Sequence, residues 1–412
     1  MYHTSLRAAA ILVMAVMSAP TMARAQEGAA PIAAGTLHDA VEVAVAQSSE
    51  AASLPALRAQ AEALRRSGRG PFVGPPVLSV DLLTRSQGII EEETSVSAGI
   101  RWPGEGKAIR SYAGRAGDSA QSGIEAARLR IAGDVRDAWW SLAAARAAVA
   151  VDRDQVGIAA TTASQVARLV GAGEQARRDL LLAQAEASAA ESRLSQAQAE
   201  LARAEAAYAA LAGPPPAELP PESQANVNDP ENSPALRAAL DRAALADARA
   251  TSLTFGARLR LEGTVGIRRE RGGVGDSTLS PEPFRNALLL GVRVPLGRNQ
   301  SVVADAASAR STALGAGAEA NRLRIRLVAE QRAAQARLDA AERSLEQAQA
   351  RRAALAEALA LTERGRTEGE IGFIEALRAR QTLSEAERDL AAARVARFAA
   401  ISSFNQAMGV LP

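Results

Sequence analysis

The order of residues in the first half of the chain recurs in the second, and this duplication constrains the fold more than any single motif. Gly99-Ile100-Arg101-Trp102-Pro103 is matched by Gly291-Val292-Arg293-Val294-Pro295. Gly173-Glu174 is matched by Gly369-Glu370. Asp179 and Glu375 each lie six residues past their glycine, and Gly213 and Gly409 lie forty past it. Pro55-Ala56-Leu57-Arg58 returns as Pro234-Ala235-Leu236-Arg237. Shared order and spacing point to duplication of a unit of ~190 residues. The units are 26–212 and 234–412. Between them, 213–233 is a linker in which Pro214, Pro215, Pro216, Pro220 and Pro221 stop any helix.

The same parts are expected in each unit. A short helix comes first, roughly 54–66 and then 234–250. Two strands follow, at about 75–85 and 94–103, then at about 256–269 and 286–296. A very long helix comes next, about 107–170 and about 302–364. The breaks fall at about 171–175 and 365–371, and the returning helices run to about 212 and 408. Each long helix would reach about 95 Å at ~1.5 Å per residue. The returning helices carry a 3-4 apolar spacing: Leu180, Ala183, Ala187, Ala190, Leu194, Ala197, Leu201, Ala204, Tyr208 and Leu211 in the first. The second has Ala376, Ala379, Leu383, Ala386, Leu390, Ala393, Arg397, Ala400, Phe404 and Ala407, with only Arg397 out of pattern. Such a register keeps one seam on a partner helix.

At the N-terminus, Arg7, the apolar run 8–19 and Ala23-Arg24-Ala25 read as a secretory signal peptide, cleaved after Ala25. The other reading is a membrane anchor, for which the run is short. No later segment reaches the ~18 unbroken apolar residues of a spanning helix. The chain has no cysteine, which excludes disulfides, thiolate metal sites and lipidation through cysteine. Its only histidines are His3 and His38. A formal charge of +2 argues against a nucleic-acid partner. Aromatic residues are 3% of the chain, so the expected core is closely packed alanine and leucine between long helices. No catalytic constellation, phosphate loop or metal-ligand cluster stands out, so neither an enzyme nor a cofactor is expected.

The strands alternate with period two. Val96, Ala98, Ile100 and Trp102 oppose Ser95, Ser97, Gly99 and Arg101. Ala257, Leu259, Leu261, Val265 and Ile267 oppose Arg258, Arg260, Glu262, Thr264 and Arg268. Leu288, Leu290, Val292 and Val294 oppose Gly291 and Arg293, and Leu78, Val80 and Leu82 continue the pattern. An amphipathic sheet usually rests on a soluble core, but nothing else in this chain would supply one. Aliphatics outward and charges inward fit a membrane barrel with a wet lumen. The loops 85–93 and 271–286 are polar, as outside loops should be. Four strands do not close a barrel, for which about eight is the usual minimum. Three copies would pool twelve.

Taken together, the duplicated strand-strand-helix-tip-helix unit, the Gly-Arg-Pro strand ends (Gly99, Arg101, Pro103; Gly291, Arg293, Pro295) and the tips resemble TolC-type outer-membrane factors. The tip residues that carry the likeness are Val170, Gly171, Gly173 and Glu174, then Gly365, Gly369 and Glu370. The resemblance spans essentially the whole mature chain. It implies a mixed fold, all-α plus transmembrane β: a homotrimer with a twelve-stranded outer-membrane β-barrel continued by a long periplasmic α-helical barrel. It implies an outer-membrane location and tips that dock on a periplasmic adaptor, itself coupled to an inner-membrane RND pump. In the family, acidic residues past the second tip ring the aperture. Glu375 matches the first by position, and the second falls on Arg378. The two are expected either to pair across subunits as a gate or to form an ordinary i, i+3 surface pair. Asp179 is a further gate candidate, with a solvated charge the favoured reading. Arg168, Arg177, Arg364 and Arg366 are either adaptor contacts or helix-end charges. Glu174 and Glu370 are expected at the starts of the returning helices, where the dipole favours negative charge. The pattern Gly-Glu-x-x-x-x-Asp-Leu-Leu-x-Ala-Gln from Gly173 looks like the branch that serves heavy-metal pumps, with multidrug efflux and type I secretion as alternatives. A periplasmic adaptor and a structural coiled-coil protein are the rival classes. Tandem hairpins and alternating strands argue against both.

Overall fold

The computed structural model describes residues 35–84, 90–227, 229–271 and 284–412. The expected signal segment 1–25 and the loop residues 85–89 and 272–283 lie outside them. The elements run α1 (Leu37–Ala46), α2 (Ser49–Ser67), β1 (Phe72–Thr84), β2 (Ile90–Ile100), α3 (Glu105–Gly171) and α4 (Arg177–Ala212). After a 3-10 turn, Pro230–Asn232, come α5 (Pro234–Gly256), β3 (Leu261–Arg271), β4 (Arg285–Arg293), α6 (Gln300–Glu368) and α7 (Phe373–Ala407).

Several boundaries differ from the sequence reading, each for a local reason. Helix α5 runs on to Gly256, so β3 begins at Leu261, and Ala257 and Leu259 leave the alternation. Strand β2 stops at Ile100. Beyond it the chain turns at Pro103-Gly104, where Gly104 has φ 90°, and the Trp102 N–H donates to Glu105 Oε2 at 3.1 Å. Trp102 and Pro103 therefore belong to the turn. Residues 90–93, expected in a loop, are strand and pair with β1 and β3. Helix α6 continues to Glu368, which puts Gly365 inside the helix instead of the break.

The four strands form one antiparallel sheet in chain order. Pairing partners share a face. Leu78, Val96, Val265 and Leu290 make one row, and Val80, Thr94, Ile267 and Leu288 the next. On the opposite face Ser79, Ser95, Gly266 and Leu289 align, then Asp81, Glu93, Arg268 and Ala287. The aliphatic face is open: Val80 is 70% exposed, Leu290 70% and Val265 56%. The polar face, which also carries Val77, Leu83 and Leu289, is crowded. There Ser95 is 7% exposed, and a Cβ on Gly266 would lie 2.7 Å from the Ser95 Cβ. Facing Cβ atoms in a flat sheet sit about 4.5–5.5 Å apart, so β2 and β3 approach closely at this pair, which only glycine permits.

Helix α4 packs through one alanine per heptad along most of its length. Ala183, Ala190, Ala197 and Ala204 are the buried seam of α4. Such small residues let helices approach closely but bury little area per turn. Alanine and leucine make up most of the buried residues, as composition suggested, and the densest part of the core adds aromatic side chains to them. Trp139, Trp140, Val135 and Leu142 of α3 meet Tyr208 of α4 and Leu37 and Val41 of α1. Trp139 and Tyr208 lie 6.0 Å apart, and Trp140 stacks on Phe398 at 5.9 Å. A second cluster joins Ala334 and Leu338 to Ile401, Phe404 and Met408. Five of the twelve aromatic residues, Trp139, Trp140, Tyr208, Phe398 and Phe404, lie in these two clusters. Arg397, the break in the α7 register, swings out to Glu342 of α6 at 3.5 Å.

Candidate functional site: the helical tips

Both long helices end in the same backbone device. Gly173 has φ 79°; its N–H donates to Val170 O at 3.0 Å, and the Glu174 N–H donates to Leu169 O at 2.9 Å. Gly369 has φ 82°; its N–H donates to Arg366 O at 3.2 Å, and the Glu370 N–H donates to Gly365 O at 2.9 Å. These are Schellman caps, which satisfy the last carbonyls and need a left-handed residue. A Cβ at Gly173, Gly369 or Gly171 would meet nothing within 4 Å. The requirement at Gly173 and Gly369 is therefore conformational, and nothing in the fold requires glycine at helical Gly171. Gly365 differs: its Cβ would sit 2.8 Å from Ile371 Cδ1, because Ile371 folds back over it. We expect Gly173→Ala and Gly369→Ala each to cost about 1–2 kcal/mol and Gly171→Ala to be neutral or better. Hydrogen exchange at the Glu174 and Glu370 amides checks this, faster exchange in the first two variants being the expected result.

The acidic residues are arranged differently from expectation. Glu174 and Glu370 are exposed in the turns, ahead of the N-caps Ala176 and Gly372. The first-turn acids that face the helix dipoles are Asp179 and Glu375. Asp179 is 7% exposed, so it is not the solvated charge expected of it. Arg178 Nε reaches it at 3.3 Å. Glu375 and Arg378 are both exposed, and among the described residues neither makes an ion pair. The surface i, i+3 pair is not formed. Val170 is half-buried on the last turn of α3.

Sequence reasoning missed the layer just behind the tips. Glu363 of α6 accepts from Arg366 Nε at 2.8 Å and from Arg380 Nη2 of α7 at 2.5 Å. Arg380 also donates to Thr162 Oγ1 of α3. Arg366, read as an adaptor contact or helix-end charge, is thus engaged inside the chain. Farther along, Arg388 Nε donates to Asp152 at 2.8 Å, Gln155 to Glu387 at 2.9 Å and Gln381 to Glu186 at 2.7 Å. Helix α7 is therefore bound to all three of its companions. The signal available was polar residues such as Asp152, Gln155 and Thr162 on the seam of α3, all less than a tenth exposed.

Burial acts to raise the Glu363 carboxyl, but the hydrogen bonds and charges of Arg366 and Arg380 hold it below the usual carboxylate range. A lowered folded-state pKa gives stability that is present above the ordinary value of 4.5 and lost as pH falls through the shifted one. The tip layer is therefore expected to be pH-independent at neutrality and to loosen only below about pH 4.5. Glu363→Gln should remove that acid-dependent step. Hydrogen exchange of α7 against pH distinguishes the two.

At the sheet end, Arg101 donates to the Ser67 carbonyl instead of lying on a strand face. Arg293 pairs with Glu262 at 2.8 Å. Gly99 is close-packed, a Cβ there lying 3.3 Å from Val73 O, whereas Gly291 has ordinary room. Pro295 follows β4. Among the described residues, no group of three or more His, Asp or Glu is placed to hold a metal, and no helix is long and apolar enough to cross a membrane.

No protein-family model matches the chain, and no curated protein matches it. Solved structures do. The outer-membrane channel OprN superposes with a TM-score of 0.73 at 18% identity, over 90% of this chain and 89% of that one. CusC, described for its transmembrane channel formation, gives 0.72 at 15% identity over 94% and 95%. The open state of the Neisseria gonorrhoeae MtrE outer membrane channel gives 0.67 at 16% identity over 91% and 89%. The chain has the fold of the TolC-type outer-membrane factors.

Proposed function

We propose that this chain is one protomer of a trimeric outer-membrane channel-tunnel, a passive exit duct in a tripartite efflux system. The observation that carries the reading is the sheet. Its aliphatic face is exposed along all four strands, its opposite face is polar and more buried on the two central strands, and β1 and β4 are left as open edges. Lipid tolerates no unpaired edge. Pairing β4 of one copy with β1 of the next, three times over, satisfies every edge and leaves a polar lumen. The helices leave from one end of the sheet and would extend the duct into the periplasm. The tips at 170–174 and 369–370 would dock on a periplasmic adaptor, and an inner-membrane RND pump would supply the energy. Duplication of an ancestral unit accounts for the two hairpins.

Glu375 and Arg378 are exposed and make no ion pair among the described residues, which supports a role in which they would meet their counterparts on neighbouring protomers and hold the aperture closed. Glu375→Ala is expected to raise single-channel conductance in a planar bilayer. The double exchange Glu375→Arg with Arg378→Glu should return it toward the wild-type value. Unchanged conductance in both variants would dismiss the gate.

Divalent heavy-metal cations are the proposed cargo, supported by the Gly-Glu-x-x-x-x-Asp-Leu-Leu-x-Ala-Gln tip. Selection would lie with the pump. A clean deletion strain tested on graded zinc, cobalt, cadmium, copper and nickel should be sensitive to metals and rescued by the wild-type gene. Sensitivity confined to drugs and detergents would move the channel to a multidrug pump. Absence of the protein from the outer-membrane fraction of a sucrose gradient would sink the channel itself.

A further inference from the structure

The end of the sheet remote from the helices holds a group that conduction does not need. Arg269 and Arg271 stand two residues apart on β3, on the aliphatic face, one and two rows beyond Ile267. Pairing sets Glu92 and Asn286 beside Arg269, and Ile90 beside Arg271. Phe284, just ahead of β4, lies against both guanidinium groups, its ring centre 5.0 Å from Arg269 and 5.9 Å from Arg271. Among the described residues one carboxylate opposes them: Glu92, 3.7 Å from Arg269. Arg271 makes no ion pair among the described residues. The contrast with the polar face is plain, since there Arg268 is engaged by Glu91.

We propose that Arg269, Arg271 and Phe284 form a binding site for the anionic phosphomonoester headgroup of a lipid. The inference rests on the channel reading, which puts this face against lipid and this end at the outer surface. Two guanidinium forks on one edge match phosphate oxygens in bidentate geometry. The Phe284 ring holds both forks by cation–π contact and is the kind of side chain that settles at a bilayer interface. Below the arginines the face turns at once to Ile267, Leu288, Val265 and Leu290, all more than half exposed. A lipid with a phosphorylated headgroup meets both requirements in one molecule: phosphate on the arginines, acyl chains along the aliphatic rows. A free anion would meet only the first.

The test uses the full chain, purified and placed in phosphatidylcholine nanodiscs. Bisphosphorylated lipid A is titrated against its enzymatically dephosphorylated form, and the heat-dissociation temperature of the assembly is read. Wild type should be stabilised by the phosphorylated form only. Arg269→Gln with Arg271→Gln should weaken that response on the order of tenfold or more. Equal stabilisation by both lipid forms would overturn the proposal, as would an undiminished response in the double variant. Full competition by inorganic phosphate would also overturn it, by making this a free-anion site. If the double variant does not assemble, the comparison of the two lipid forms on wild type decides alone. Conductance of the same preparations separates the two readings. A conducting channel indifferent to lipid phosphate sinks only this inference, and a preparation that neither inserts nor conducts sinks both.

Discussion

Arg136→Ala is expected to cost about 3–5 kcal/mol, the range for removing one partner of a buried ion pair. Arg136 and Glu222 are 3% and 9% exposed at their side chains. Arg136 Nη2 lies 2.8 Å from Glu222 Oε1, and its Nε lies 3.1 Å from Oε2. The same guanidinium donates to Gln406 Oε1 at 2.6 Å and to Val410 O at 3.0 Å. Glu222 in turn accepts from Ser402 Oγ at 2.6 Å, and Ser402 accepts from Trp140 Nε1 at 2.7 Å. One arginine of α3 thereby fastens the linker and the end of α7 to the dense core. Its loss strands a carboxylate where water does not reach. The measurement is the denaturant midpoint of the assembled protein. Arg136→Met combined with Glu222→Leu should cost much less, because no charge is left unpaired. Equal losses in the single and double variants would show that packing, not charge, is what the site supplies.

The second large effect tests which face of the sheet meets lipid. Leu290→Arg puts a charge in the exposed aliphatic row with Val265, Val96 and Leu78. At a bilayer midplane such a substitution costs about 2–4 kcal/mol per copy. The expected result is loss of the proposed heat-resistant trimer from outer-membrane fractions. Ser97→Arg, on the opposite face, should assemble and change conductance instead. Were this sheet to rest on a soluble core, the tolerances would be reversed or equal.

How far the sequence could be read varies with the range of the interactions involved. The strand alternation could be read because side chains change face every residue. The turns at Gly173 and Gly369 could be read because few residues other than glycine adopt a positive φ at a helix end. The boundaries of β2 and β3 could not. They depend on the Trp102 N–H finding Glu105 and on α5 extending to Gly256. Gly365 was placed in the turn because glycine usually marks one. Its actual reason, room for Ile371 to fold back, involves a residue six positions on.

The remaining division is between local and long-range physics. The sequence by itself determined that the chain would form very long helices, amphipathic strands and sharp reversals, because propensity, periodicity and positive φ act over a few residues. Only the tertiary structure decided which polar groups meet. Glu363 with Arg380 and Thr162, Arg136 with Glu222, and Arg269 and Arg271 with Phe284 come from distant or separately registered segments. No local rule fixes the register at which two helices more than thirty residues long pass each other. For α4 that register is held by its buried alanines along the helix and by Tyr208 against Trp139 near its end.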